Sequence, residues 1–413
     1  MVLKGLRRPA VAKAWNHRLR HALNMQFINL SVFGVKTMKI AQIAPLAESC
    51  PPRLYGGTER IVSYLTEELV RQGHQVTLFA SGDSITSAEL VPCSKMALRL
   101  DHSVKDMTPH HVVMLDQVAR RADEFDVLHF HIDHLHYPLM RPYFDRIVTT
   151  LHGRLDLPDL MPFYSAFPEP PVVSISDAQR SPMPPVNWLG TILHGLPADL
   201  LPFRKDSSGD YLAFLGRISP EKGPDRAIEI AAQAGLSLKI AAKIDDADQR
   251  YWEQIIAPMI AAHPNVEFIG EINEFQKADF LGNARALLFP ICWPEPFGLV
   301  MIEAMACGTP VIALAHGSVP EVIDHGQSGF VVNSIDEAVA AARSVGMLER
   351  QAIRKRFEHR FTAEQMARNY LAAYHRLPAL RQRQSLIAIP ANKGAIRMPM
   401  AYAGVEASAA SAG

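Results

Sequence analysis

Glu295 and Glu303 are separated by seven residues within the segment Pro-Glu-Pro-Phe-Gly-Leu-Val-Met-Ile-Glu-Ala-Met-Ala-Cys-Gly-Thr-Pro, 294–310. Pro296 disfavours helical backbone at Glu295, which places this carboxylate on an extended loop. A helix beginning near Phe297 leaves its first amides unpaired beside that loop. Glu303 falls about two turns along the same helix, among apolar residues, where an acid is costly without a partner. One carboxylate ahead of a helix N-terminus and one inside it suit a ligand bearing sugar hydroxyls and a phosphate. Hydroxyls donate to carboxylates, and the phosphate meets the free amides.

Arg217 and Lys222 share the short loop Leu-Gly-Arg-Ile-Ser-Pro-Glu-Lys-Gly, 215–223. A planar guanidinium fork and a point charge together suit a diphosphate; the plainer reading is a solvated loop that pairs with Glu221. Gly56 and Gly57 lie between the first strand and first helix patterns, where a bare turn and helix amides could approach an anion. The pattern is not G-x-G-x-x-G and no acid ends the second strand, so a dinucleotide cofactor is poorly supported. His129, His131, His134 and His136 invite a metal site, but their spacing fits neither one strand nor one helix. They follow a strand end and are expected to face the cleft, with His131 read as an acceptor-side residue. Asp246-Ala-Asp248 resembles the D-x-D of metal-dependent transferases and is read as a solvated loop.

These residues need elements to hold them. From Met38 the strand and helix patterns alternate, which favours an α/β class with parallel sheets and helices on both faces. Strands are expected over 39–44, 75–79, 127–130, 147–151, 172–176 and 191–193. The first helix, 58–71, carries Ile61, Val62, Leu65 and Leu69 on one stripe and stops at Gly73. A stretch rich in turn residues, with Pro197, Pro202 and 206–209, reads as a linker. Strands then recur at 211–215, 238–242, 266–269, 286–289 and 311–314, with helices at 224–234, 251–262, 299–306 and 363–375. Two similar units in tandem imply a cleft between them, the usual ligand position in such proteins. The chain divides on this reading into 38–199, 200–362, a closing helical segment 363–380, and a tail 381–413 expected to be disordered.

The 413 residues carry 42 Lys+Arg and 42 Asp+Glu, but the balance is uneven. Residues 1–37 hold seven basic side chains and no acid, and 381–413 hold four basic and one acidic; the body between is acidic. That argues against a nucleic-acid binder, which presents a basic face. An apolar share of 48% excludes a disordered chain, and four cysteines are too few for a disulfide framework, which fits a reducing cytoplasm. No apolar run reaches the roughly 18–20 residues needed to span a bilayer. In 1–37, Val11, Trp15, Leu19 and Leu23 recur every four residues among basic ones. This could be a basic amphipathic helix, giving weak association with an anionic membrane surface at the inner face; the plainer reading is a dispensable extension before a functional start at Met38.

The E-x7-E spacing of Glu295 and Glu303, with Phe297 and Gly298 between and Gly308-Thr-Pro-Val after, resembles the signature of retaining nucleotide-sugar glycosyltransferases of family 4, of the GT-B type. The resemblance extends through Gly56-Gly-Thr-Glu-Arg60, His152-Gly153, His194-Gly195, Gly216-Arg217, Lys222-Gly223 and Gly317-Ser-Val-Pro-Glu-Val-Ile323, over about 38–380. It implies two tandem Rossmann-like domains facing a central cleft: an acceptor domain, 38–199, and a nucleotide-sugar donor domain, 200–362. The segment 363–380 would cross back to the first domain. It implies Arg217 and Lys222 on the donor diphosphate, Glu295 beside the donor sugar and Glu303 on the ribose. The amides of Phe297, Gly298 and Leu299 would line sugar and phosphate, Gly57 would approach the phosphate from the other domain, and His152 would stand near the transferring sugar. His131 and Arg154 are the acceptor-side candidates.

The expected activity is therefore transfer of a hexose, UDP-glucose being the first donor considered and GDP-mannose the second, to a small-molecule, glycan or lipid acceptor. A nucleotide-sugar epimerase or a non-catalytic nucleotide-sugar binder on the same fold are the alternatives. No cofactor and no metal is expected, because the cationic pair would take the metal's part. Transfer should thus persist in EDTA; loss of activity that Mn²⁺ restores would return the aspartate or histidine clusters to consideration as metal ligands.

Overall fold

A computed structural model describes residues 37–53, 56–206 and 209–387. The amphipathic pattern in 1–36 and the tail from 388 onward lie outside the described residues.

The first unit is a seven-stranded parallel sheet: β1 (Lys39–Ile43), β2 (Gln75–Ser81), β3 (Glu89–Ser94), β4 (Val127–Phe130), β5 (Ile147–Thr150), β6 (Val172–Ser174) and β7 (Trp188–Thr191), in the order β3-β2-β1-β4-β5-β6-β7. The second is a six-stranded parallel sheet: β8 (Tyr211–Arg217), β9 (Ser237–Lys243), β10 (Val266–Gly270), β11 (Ala286–Phe289), β12 (Val311–Leu314) and β13 (Gly329–Val332), ordered β10-β9-β8-β11-β12-β13. In each sheet the order reverses beside its first strand, so a crevice opens at the carboxyl ends of β1 and β4, and of β8 and β11. The central strands read as near-continuous apolar runs because helices cover both faces.

The helices that matter for the site are α1 (Gly57–Arg71), α2 (Thr108–Arg121), α3 (Pro224–Ala234), α4 (Glu274–Gly282), α5 (Leu299–Ala306) and α6 (Ala363–Ile387). Helix α1 buries Ile61, Val62, Leu65 and Leu69, the stripe legible in the sequence. The seventh strand runs Trp188–Thr191 and not 191–193; Gly190, at φ 145°, and a register shift against β6 move the pairing upstream. Strand β3 escaped the sequence reading because it is an edge strand carrying Pro92, with a mixed burial pattern and no clean alternation.

Helix α6 returns to the first unit, where Met366, Ala367, Tyr370, Tyr374 and Leu377 pack against Met38, Ile40, Ile61 and Leu65. It runs to Ile387, so residues 381–387 are helical and do not belong to a disordered tail. Arg381, Gln382, Arg383 and Gln384 are good helix formers, and the Ala/Ser/Gly bias begins later in the chain.

Several contacts join the two units. Ser176 donates its hydroxyl to the Pro296 carbonyl at 2.7 Å, and the Glu321 carboxylate accepts the amides of Asp177 and Ala178, each at 2.7 Å. Arg60 on α1 forms an ion pair with Glu274 at the start of α4. Where the chain crosses back, Leu196 and Ala363 exchange hydrogen bonds with Phe361 and Leu196, at 2.9 and 2.8 Å. Among the described residues, no helix is long and apolar enough to cross a membrane.

Gly195 sits at that crossing, and a Cβ there would come within 2.2 Å of the Thr362 carbonyl oxygen. Backbone cannot yield as a side chain can. Gly195→Ala should therefore destabilise the protein by roughly 1–3 kcal/mol, seen as a lower urea midpoint; an unchanged midpoint would show that the crossing strands separate freely.

Candidate active site

Glu295 lies on the loop after β11, where its backbone carbonyl accepts the Ser318 amide at 3.0 Å and Gly317 packs so closely that a Cβ would reach its nitrogen at 2.4 Å. The loop is thereby held rigidly against the turn after β12. The Glu295 carboxylate receives Lys222 Nζ at 2.5 Å and Trp293 Nε1 at 3.0 Å, and Lys222 also lies 4.7 Å from the Trp293 ring centroid. Two residues far apart in sequence thus form one small electrostatic unit. Gly298, at φ 78°, makes the left-handed turn that launches α5, whose first amides have no intrahelical acceptor. Gly57 faces them from the first unit: a Cβ there would lie 3.8 Å from Leu299 Cδ1.

Arg217 ends β8, and its guanidinium is shared by Glu221 at 2.5 Å, Asp248 at 3.5 Å and Asp245 at 3.6 Å. The cation sits at the sheet's carboxyl edge and acids neutralise it, Glu221 among them as the plainer reading of this loop expects. Asp248, part of the D-x-D-like run, serves as a counter-ion of Arg217. Glu303 is buried in α5, and Lys277 from α4 meets it at 2.7 Å. Lys277 also approaches Glu274 at 3.4 Å, and Glu274 binds Arg60 of the first unit. A chain of ion pairs therefore joins α1 of the first unit to Glu303.

On the opposite wall, His152 follows β5 and its Nε2 lies 2.9 Å from Nδ1 of His131. His131 Nε2 meets the Gln42 amide oxygen at 2.8 Å, and Gln42 donates its amide to Tyr374 on α6 at 3.3 Å. With Gln42 accepting, His131 carries its proton on Nε2 and accepts from His152 Nε2–H. His152 stacks on His194 with centroids 5.2 Å apart, and His194 meets the Phe297 ring of the second unit at 4.9 Å. Burial pushes the His152 imidazole down to about 3 and drives His129, His131 and His194 well below the usual imidazole range, so all four are neutral. A cavity of about 420 Å³ opens beside them, lined by Thr58, Thr108, His131, Asp133 and His152 among others.

The chain matches two family models in succession: glycosyltransferase family 4 over residues 55–188, and glycosyl transferases group 1 over 202–363. This chain belongs to glycosyltransferase family 4. It is similar to the phosphatidyl-myo-inositol mannosyltransferase of Mycobacterium leprae, 25% identical across 78% of this chain and 90% of that one. Among solved structures, sucrose-phosphate synthase from Thermosynechococcus elongatus superposes with a TM-score of 0.68, 20% identity, and coverage of 83% and 100%. Alr3699/HepE of Anabaena, solved with UDP and glucose, gives a TM-score of 0.61, 18% identity, and coverage of 81% and 98%. These likenesses establish the GT-B fold of two Rossmann-like domains.

In this glycosyltransferase the sites expected from sequence gather around one cleft, with two differences. Arg154 does not line the cavity; its guanidinium pairs with Asp156 at 2.7 Å and lies 5.6 Å from the Trp293 centroid, on the side of Lys222. His129 and His136 turn into the core, bonded to Tyr374 and Thr150 and to Thr149, and do not face the cleft. Among the described residues no group of three or more His, Cys, Asp or Glu is placed to hold a metal ion. Sequence reasoning missed Trp293, Lys277, Gln42 and Asp133. Trp293 adjoins the E-x7-E segment and could have been found there; the other three reach the site only through chain reversal.

Neutral buried imidazoles have a consequence for stability. Each binds a proton below its unfolded value near 6.5 but resists protonation when folded, so the unfolded state takes up more protons as pH falls. Stability should fall between pH 6.5 and 5, approaching about 1.4 kcal/mol per pH unit for each such histidine. Urea unfolding across that range checks it, and a flat profile would mean the four rings are not held neutral.

Proposed function

We propose that this glycosyltransferase moves a hexose from a nucleotide-diphosphate sugar with retention of configuration, using UDP-glucose first and GDP-mannose second as donor. The observation that carries this reading is the convergence of Arg217, Lys222, Glu295 and the open amides of α5 at the carboxyl edge of the second sheet, opposite Gly57 and His152. A leaving nucleoside diphosphate is a concentrated negative charge, and preorganised cations and helix amides stabilise it as the glycosidic bond breaks. The same cations pair with Glu221, Asp245, Asp248 and Glu295. A diphosphate would replace those carboxylates on Arg217 and share Lys222 with Glu295.

Glu303 would take the ribose hydroxyls and Glu295 the hydroxyls of the donor sugar, each acting as hydrogen-bond acceptor. Neutral His152 would offer an uncharged ring nitrogen to the sugar or acceptor, avoiding a second cation beside a developing oxocarbenium ion. Glycosidase-type double displacement needs two carboxyl groups flanking the bond, whereas here the acidic side chains of the donor wall are bound to lysines. Attack from the face of the departing diphosphate fits that arrangement, with the cationic pair in place of a metal. The buried free thiols of Cys50, Cys93 and Cys307 fit a reducing, cytoplasmic setting.

Glu295→Ala and Arg217→Ala should each lower transfer by roughly 100-fold or more while the protein still unfolds in one cooperative transition. Slow hydrolysis of a panel of nucleotide sugars, which needs no acceptor, reads the donor directly. Near-parental rates in either variant would remove the proposed site.

A further inference from the structure

Asp133 lies in the turn after β4 at φ 52°, the only non-glycine residue with positive φ among the described residues. Asp enters left-handed backbone more readily than most residues, so this turn accommodates its side chain. The carboxylate is half-buried and accepts the His152 amide at 3.4 Å. Burial raises its carboxyl above the ordinary range, and no ion pair to Lys or Arg offsets that cost among the described residues.

The cavity it lines has a defined chemistry. Pro45, Met107, Ile132 and Leu135 form apolar walls, and Asp133 is the sole formal charge among the described residues lining it. Other polar groups there are largely committed. His111 bonds the Leu46 amide and the Met107 carbonyl through its two nitrogens, and His131 bonds His152 and Gln42. An ionised carboxylate only accepts hydrogen bonds, so its complement is a hydroxyl donor. A phosphate would meet a like charge with no cation beside it, a juxtaposition that disfavours binding.

We propose that this cavity is the acceptor subsite and that Asp133 binds a hydroxyl of a neutral sugar or cyclitol beside His152, selecting against phosphorylated acceptors. The apolar walls then cover the C–H face of the ring, and Thr58, at the start of α1, brings the acceptor up against the turn of Gly57. This rests on the glycosyltransferase reading above and adds the acceptor's class and the residue that selects it.

The test pairs neutral acceptors with charged counterparts: myo-inositol against myo-inositol 1-phosphate, and glucose against glucose 6-phosphate, each with UDP-glucose and GDP-mannose. The full-length protein should use a neutral member with kcat/KM at least tenfold above its phosphorylated counterpart. Asp133→Asn, which tolerates left-handed backbone, should lower kcat/KM for that acceptor by roughly 10- to 100-fold, mainly through KM. Thr108→Lys places a cation on an exposed lining position and should shift the preference toward the phosphorylated member by about tenfold. Three outcomes overturn the proposal: preference for the phosphorylated member, an Asp133→Asn variant within twofold of the parent on the neutral one, or no transfer to any member by a protein that binds UDP or GDP in calorimetry. A protein that neither binds those nucleotides nor hydrolyses a nucleotide sugar would instead remove the donor reading.

Discussion

A carboxylate taken out of water needs a cation or hydrogen-bond donors to stay ionised, and that requirement shapes the second domain's wall of the cleft. Glu295 and Glu303 are both buried, and each is met by one lysine: Lys222 from the loop after β8 and Lys277 from α4. Neither lysine is near its partner in sequence. The second domain must therefore fold with β8, β11, α4 and α5 in register before either acid is compensated. The same pairing orders these side chains, and their desolvation is met by the fold.

The electrostatics continue into the first domain. Lys277 also serves Glu274, and Glu274 binds Arg60 on α1, the helix whose first residue faces α5. Glu303 is thus tied, through two cations and one further acid, to the element that carries Gly57 and Thr58. On the other wall the chain His152, His131, Gln42 and Tyr374 ends on α6, the helix that returns from the second domain. Both walls of the cleft are accordingly braced by groups contributed across the domain junction, through charge on one side and through neutral hydrogen bonds on the other.

Much of the fold was legible because parallel strands covered on both faces are short apolar runs, and the helices between them carry regular stripes. β4, β11, β12, α3 and α5 have the residue limits that the sequence patterns indicate. The sequence patterns read above do not include β13, α2 or α4, and three further departures have local causes. β3 is a mixed edge strand with a proline, β7 is displaced by a glycine and a bulge, and α6 continues through residues whose composition differs from the tail that follows. The histidine run misled in part: His129 and His131 share one side, their rings 4.0 Å apart, but His129 lies within β4 and is bonded to Tyr374 and Thr150, whereas His131, beyond the strand, reaches the cavity.

The sequence by itself determined which residues could do the chemistry, because local rules decide it: proline before a helix sets Glu295 on a loop, glycine opens a helix N-terminus, and an acid in an apolar helix demands a partner. Only the tertiary structure decided who the partners are. Lys277 against Glu303, Asp248 against Arg217, Arg154 against Trp293 and Asp133 inside a cavity without lysine or arginine among its described lining residues are long-range meetings. The physical reason is that burial and Coulomb energy depend on distance in space, and chain separation carries no information about it until the two sheets have formed and faced each other.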